Sequence, residues 1–253
     1  MERAASESGG GVRSVLRALD LLALFDESHR TRSVRELVDA SGLAKSTVVR
    51  LVATLEERGL LWVQSDGRLT PGAGLLRWAA LAQEAWRLPL EAVECLRVLS
   101  VESGGESSRI YVRQGTSRVC VAQHEGTQQL RHVVRIGEEM PLWAGASGHV
   151  LLSGCTDAFL RRVAKGAGQD PEVLAERARL AAERGWAASD GERERSVAAV
   201  AARVTDDQGR VAAAVSLGGP SSRFTAEHIE AFLPVLTKAA RELTELRFLS
   251  AGS

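Results

Sequence analysis

Residues 34–59, VRELVDASGLAKSTVVRLVATLEERG, constrain the fold more than any other stretch, because two apolar rhythms of helical period meet there at a Ser-Gly break. Val34, Leu37 and Val38 fall at i, i+3 and i+4 and predict a short helix, which Ser41-Gly42 stops because glycine accepts the left-handed conformation of such a corner. Leu43 packs back as the apolar plug of the turn. In the second helix Val48, Leu51, Val52 and Leu55 form one continuous apolar face, while Lys45, Ser46, Thr47, Arg50, Thr54 and Glu57 point largely the other way. A plain helical hairpin with a solvated face has the same pattern. The cation and hydrogen-bond donors on the outer, N-terminal half are what the recognition helix of a helix-turn-helix needs to reach base edges in the major groove. Lys45, Ser46, Thr47, Arg50 and Thr54 are therefore candidate DNA-binding residues.

The flanks favour the DNA-binding alternative. The run LLWVQSDGRLT after Gly59 predicts strands at 60–64 and 68–70 joined by an Asp66-Gly67 tip, a hairpin in the position of a wing. Arg68, beside that tip, is a sixth candidate, for a phosphate or the minor groove. Upstream, Val15, Leu16, Leu19, Leu22 and Ala23 give residues 12–25 a helical stripe that would back the other two helices. Residues 1–11 are rich in Ser and Gly, offer no apolar face and are expected to be a mobile arm.

Charge limits how such a domain can hold DNA. The chain has 32 cationic and 32 acidic side chains and no net charge, so long-range attraction cannot come from the whole molecule. Between Arg30 and Thr70 seven cations face five acids, a local +2 that favours a dimer doubling the contacts over a strongly basic monomer. Cys95, Cys120 and Cys155 lack disulfide-framework or zinc-ligand spacing and read as reduced thiols of a cytoplasmic protein. No apolar run approaches the ~20 residues of a membrane span, and the first residues lack a hydrophobic signal core, so no membrane partner is expected. Nor does any motif call for a metal or cofactor.

Beyond the wing, residues 73–86 predict a strongly apolar helix carrying Trp78 and Trp86, which packs inside its own chain or against a second copy. A helix from Pro89 with Leu90, Val93, Leu96 and Leu99 inward opens a second domain. Strands are expected at 108–113, 118–124 and 130–136, helices at 147–152, 158–164 and 171–184, and strands at 186–189, 197–204 and 211–217. A closing helix capped by Thr225 completes an α/β layer arrangement in which one sheet face is covered and the other can hold a pocket. The helix opening at Ala144-Gly145-Ala146-Ser147-Gly148 has N–H groups suited to an anionic or carbonyl group, and hydroxyls nearby suit a small oxygenated ligand, with Trp143 allowing an aromatic or aliphatic part.

Five segments together carry a family resemblance. SVLRALDLL followed by LAKSTVVRLVATLEERGL resembles the winged-helix domain of IclR-type bacterial transcriptional regulators. MPLWAGASGHVLL, RGWAASDGE and VAAAVSLGGP are similar to segments of that family's effector-binding domain, so the resemblance covers residues 12–246. It implies an α+β chain: a winged helix-turn-helix domain at 12–71, a linker helix at 72–87 and a GAF-like effector-binding domain at 88–250. It also implies a repressor acting as a homodimer or homotetramer on operator DNA, with an effector such as a small carboxylate or aromatic acid. Carried over residue by residue, the effector pocket falls on Ala146, Ser147, Ser189, Ala199, Ser216 and Gly218, with His132 and Trp143 nearby. His149, Arg203 and Ser196 depart from the family's pattern, standing where Lys, Pro and Gly are common.

Two other functions compete. An enzyme built on Ser147 and His149 fails on spacing, because a nucleophile elbow needs G-x-S-x-G and Gly148 follows Ser147 directly. A GAF-type thiol redox sensor or reductase would rest on Cys95, Cys120 and Cys155, which the chain more simply accommodates as buried structural cysteines.

Overall fold

A computed structural model describes residues 11–26 and 28–247, which leaves the expected N-terminal arm, apart from Gly11, outside the described residues. The chain divides into two compact units between Arg87 and Leu88.

In the first unit, helices α1 (Arg13–Leu22), α2 (Val34–Ser41) and α3 (Lys45–Glu57) precede a hairpin of β1 (Leu61–Val63) and β2 (Leu69–Pro71) and a further helix α4 (Gly74–Ala85). Ser33 caps α2 through a reciprocal box with Glu36, and Gly42 ends it at φ +66°, the left-handed corner that the sequence predicts. Leu37, Val48, Val52, Leu55, Leu61 and Leu69 are buried together with Leu21, so the inner face of α3 is fixed by a core to which each leucine contributes about 1.5–3 kcal/mol. Arg32 exchanges backbone hydrogen bonds with Leu69 at 2.9 and 2.7 Å, tying the segment before α2 to the hairpin.

The expected stripe on α1 is corrected. Leu21 is its buried residue, supported by Ala18 and Leu22, while Val15, Leu16, Leu19 and Ala23 are exposed. The helix turns a different apolar face inward, leaving a second one uncovered. On α4 no residue is buried, and Leu76, Trp78 and Leu81 are exposed, as is Trp86 just beyond it. Its start is nevertheless fixed: the Gly74 N–H donates to the Gly59 carbonyl at 2.9 Å, and a Cβ on Gly72 would meet that same oxygen at 2.2 Å.

The second unit opens with α5 (Leu90–Glu102), continues through β3 (Ser107–Gln114), β4 (Ser117–His124) and β5 (Glu139–Pro141), then α6 (Ala146–Leu152), α7 (Asp157–Ala167) and α8 (Pro171–Arg184). It closes with β6 (Trp186–Asp190), β7 (Val197–Thr205), β8 (Val211–Pro220) and α9 (Ala226–Glu245), whose cap is Thr225. The six strands form one antiparallel sheet in the order β5-β4-β3-β8-β7-β6. Alternation sorts its side chains into two cores. Ile110, Val112, Val200, Ala202, Val215 and Leu217 face α5 and α9, whereas Tyr111, Cys120, Ala201 and Ala214 face α6, with α7 and α8 completing that layer.

Two further expectations fail in this unit. Residues 130–136 form no strand; the edge is taken by β5, paired to Ser117, Arg118 and Val119. Leu130, Val133 and Ile136 recur every third residue, which no strand can place on one face, and all three are exposed. On α5 the inward set is Ala92, Cys95, Leu96 and Leu99, and Leu90 is 83% exposed with Val93 also outside. The helix is apolar on more than one side, so its period alone does not choose the buried face.

Candidate nucleic-acid interface and ligand cavity

On α3 the core fixes one side and leaves Lys45, Ser46, Arg50 and Thr54 exposed, with Thr47 half-buried. Ala44 gives the helix no side-chain cap and its carbonyl already accepts the Thr47 amide at 2.9 Å, so the Lys45 and Ser46 amides are the ones suited to an external acceptor such as a phosphate. Val49, unremarked in the sequence, is exposed beside Arg50 and adds an apolar contact suited to a thymine methyl. The Thr54 hydroxyl donates to the Arg50 carbonyl at 3.0 Å and is thereby engaged within the helix. Arg68 is also engaged: its Nε and Nη2 donate to the hydroxyl and carbonyl of Thr31, each at 2.9 Å, and Nη2 lies 3.3 Å from Glu36. Its visible work is to join the wing to the start of α2.

The second unit holds a cavity of about 60 Å³ between the α6 side of the sheet and the loops at residues 132 and 190–194. Seven of the eight positions expected for an effector, His132, Ala146, Ser147, Ser189, Ala199, Ser216 and Gly218, line it. Strand register explains the grouping: Ser189 pairs with Ala199, Ala199 with Gly218, and Ser216 with Arg109, so one sheet face presents them together. Trp143 does not line the cavity and packs, half-buried, on the core under α6.

Gly145 precedes α6 at φ +88°, and a Cβ there would come within 3.0 Å of Arg118 Nη2. Two amides of this turn, expected to be free, are already accepted: Gly145 N–H donates to Glu192 Oε2 at 2.7 Å and Ala146 N–H to Ser189 Oγ at 2.9 Å. Glu192 also takes the His149 Nε2 proton at 2.8 Å and lies 3.3 Å from Arg177. Burial works to raise its pKa, but His149, the Gly145 amide and Arg177 outweigh it and hold the carboxyl below its ordinary value. His149, where the family commonly has Lys, is thus bound to Glu192 and does not line the cavity.

At the other wall, His132 Nε2 is 2.7 Å from Arg193 Nη2 and 3.3 Å from Glu194. A guanidinium only donates, so the shorter contact makes Nε2 an acceptor and the ring neutral, in keeping with a pKa lowered chiefly by burial.

The cavity has a charged floor that no local sequence pattern marks. Arg109 and Arg118 are 3% and 5% exposed, and both line the cavity. An Arg109 Nη2 proton goes to the His132 carbonyl; Arg118 Nη1 donates to the carbonyls of Pro141 and Ala144, and its guanidinium stands 5.6 Å from the Tyr111 ring centre. Burial pushes Arg118 down to about 10 and Tyr111 up to about 12, leaving a cation and a neutral phenol at neutral pH. Arg109 and Tyr111 alternate with Ile110 and Val112, a pattern that reads as a solvated strand face unless the sheet is known to be covered on both sides.

The thiol alternative loses its chemistry. Cys95 and Cys120 are free and buried, and burial raises them to about 12 and about 11, away from the thiolate that redox reactivity requires. Cys155 is half-buried and raised by the same cause. Among the described residues no three His, Cys, Asp or Glu side chains are grouped to hold a metal, and no helix is long and apolar enough to cross a membrane.

The family model described as bacterial transcriptional regulator IclR C-terminal matches residues 87–245, and the IclR helix-turn-helix domain matches residues 14–64. The transcriptional repressor IclR of Escherichia coli is 26% identical, with 95% of this chain and 92% of the relative covered. A solved IclR-family regulator from Rhodococcus sp. is 41% identical with a TM-score of 0.62, covering 97% of each chain. An IclR homologue from Microbacterium hydrocarbonoxydans, solved in complex with 4-hydroxybenzoate, shares the fold at 21% identity with a TM-score of 0.72, covering 94% of this chain and 100% of that one.

Proposed function

The chain belongs to the IclR family of bacterial transcriptional regulators, a DNA-binding regulator with a C-terminal ligand-binding domain and not an enzyme, and from that premise we propose how it works. Two copies place their α3 helices in successive major grooves of a roughly palindromic operator, with half-sites about one turn, ~10 base pairs, or a multiple apart. Lys45, Ser46, Thr47 and Arg50 read or position the DNA. The protein acts as a repressor in the cytoplasm, as a dimer or a pair of dimers. The exposed apolar faces of α1, with Val15, Leu16 and Leu19, and of α4, with Leu76, Trp78 and Leu81, support the association of copies.

The cavity receives the effector, a small carboxylate or aromatic acid, the class to which the Microbacterium homologue's 4-hydroxybenzoate belongs. The observation that carries this reading is the grouping of Ser147, Ser189, Ser216 and Gly218 around one cavity with two buried cations. An effector changes operator affinity only by binding the DNA-competent and DNA-free states unequally.

The test is an anisotropy titration against the chain's own upstream intergenic DNA, with random DNA and a salt series alongside. Specific, salt-sensitive binding is expected, and Arg50→Ala should weaken the specific complex by ~1–3 kcal/mol with selectivity relaxed at one base. Equal binding to both DNAs would reject the operator reading; equal loss on both in the variant would make Arg50 a phosphate contact.

A further inference from the structure

Among the described residues, Arg109 and Arg118 line the cavity without an ion pair. The carboxylates there have partners of their own: Glu192 has His149 and Arg177, and Glu194 has Arg193 at 2.9 Å. Among the described residues no carboxylate lies within ion-pair distance of either Arg109 or Arg118, and the Nε of each is buried without an acceptor. Carbonyl oxygens take some of their protons but cancel none of their charge. Two guanidinium groups, nine-tenths buried and lining one cavity, make a standing electrostatic demand that a protein relieves with an anion.

The two groups serve different ends of that space. Arg109, on β3, is held at the His132 carbonyl, with Nη1 3.4 Å from where a Gly218 Cβ would stand. Arg118, on β4, is held at the turn of Pro141 and Ala144 that leads into α6. In the sheet Arg118 is paired with Arg113, four residues along β3 from Arg109, and Tyr111 stands between them with the Arg118 guanidinium over its ring. A single compact anion meets one of these ends; a chain with an acid group at each terminus meets both.

We propose that the effector of this regulator is a short aliphatic dicarboxylate, one carboxylate anchored by Arg109 at the His132 end and the other by Arg118 at the α6 end. The inference rests on reading the cavity as the effector site and specifies its ligand. Each end supplies charge-assisted hydrogen bonds, and Ser216, paired with Arg109 across β3 and β8, offers a hydroxyl on the same face. Arg109 and Arg118 are thereby specificity-determining residues.

Isothermal titration of the full chain with succinate, glutarate, butyrate, 4-hydroxybenzoate and inorganic phosphate tests the idea. A diacid is expected to bind at least about ten-fold more tightly than butyrate, the worth of one additional charge-assisted anchor. Arg109→Met and Arg118→Met should each erase that advantage, with far-ultraviolet circular dichroism confirming the fold. The wild-type ratio decides the matter even when a variant does not fold. Butyrate or phosphate binding as tightly as either diacid would overturn the two-ended anchor, as would 4-hydroxybenzoate binding alone or no binding at millimolar concentration. The joint variant Ser147→Leu with Ser216→Leu separates the layers. Monoacid binding that this variant abolishes sustains the cavity as the site while the dicarboxylate inference fails; diacid binding that survives it rejects both.

Discussion

Glu192 shows how much one carboxylate organises. It joins the turn before α6 through the Gly145 amide, α6 itself through His149, and α8 through Arg177, with its own side chain 17% exposed. Its pKa lies below the ordinary 4.5, so it contributes stability above the unfolded value that is lost as pH falls through the folded one. Glu192→Gln should therefore lower stability at neutral pH by about 1–3 kcal/mol, the range for a hydrogen bond to a charged group, and flatten the loss between neutral and acid. Urea unfolding of both proteins across that range, followed by Trp fluorescence, measures it. A parallel offset at every pH would show that the carboxylate's ionisation is not what matters. Nothing in the sequence announces this role: Glu192 sits in a charged run, GERER, which reads as a solvated loop until α6 and α8 are folded against it.

At the scale of elements, the clearest constraint is the close approach of backbones where α3, the wing and α4 meet. A methyl group on Gly72 would stand 2.2 Å from the Gly59 oxygen, and backbone cannot yield as a side-chain tip does. Gly72→Ala is expected to destabilise the first unit by about 1–3 kcal/mol, as overpacking does. Gly166→Ala, in open space within α7, should be neutral or stabilising by up to about 1 kcal/mol. Thermal melts of the two variants should move in opposite directions or at least differ by that sum, and a Gly72 variant as stable as the parent would contradict the geometry. Elements whose signals are local are legible in the sequence. The Gly42 corner, the α3 period, the Asp66-Gly67 tip and the Thr225 cap each act within a few residues, and helices α6 to α8 follow the same rule. What is not legible depends on partners distant in the chain. The buried face of α5 is chosen by α9, and Arg109 is a cavity residue only because β8, β7 and β6 assemble beside β3 beneath α6. The same cause hid the engagement of Arg68 with Thr31, residues 37 positions apart.

For the whole molecule the question is coupling, since one unit carries the DNA-reading helix and the other the cavity. Changing Ser147 and Ser216 together to Leu should abolish effector response while leaving operator affinity within about two-fold, because neither residue belongs to the first unit and both face the cavity. Operator titrations of the double variant with and without the compound that acts on the parent measure both quantities; a retained response would remove the effector from this cavity. The chain has no net charge and a local excess of +2 around α3, so the proposed association of copies would add phosphate contacts that one domain's charge does not supply. The central strands of the second unit are floored with the smallest side chains, Ala199, Ala201 and Ala214 on the α6 side and Ala198, Ala202 and Ala213 on the other. Such a floor holds its register through backbone hydrogen bonds and leaves shape to be written by single substitutions. A methyl or larger group added at any one of these alanines would therefore reshape the space above the sheet while the strand pairing beneath it stays in register.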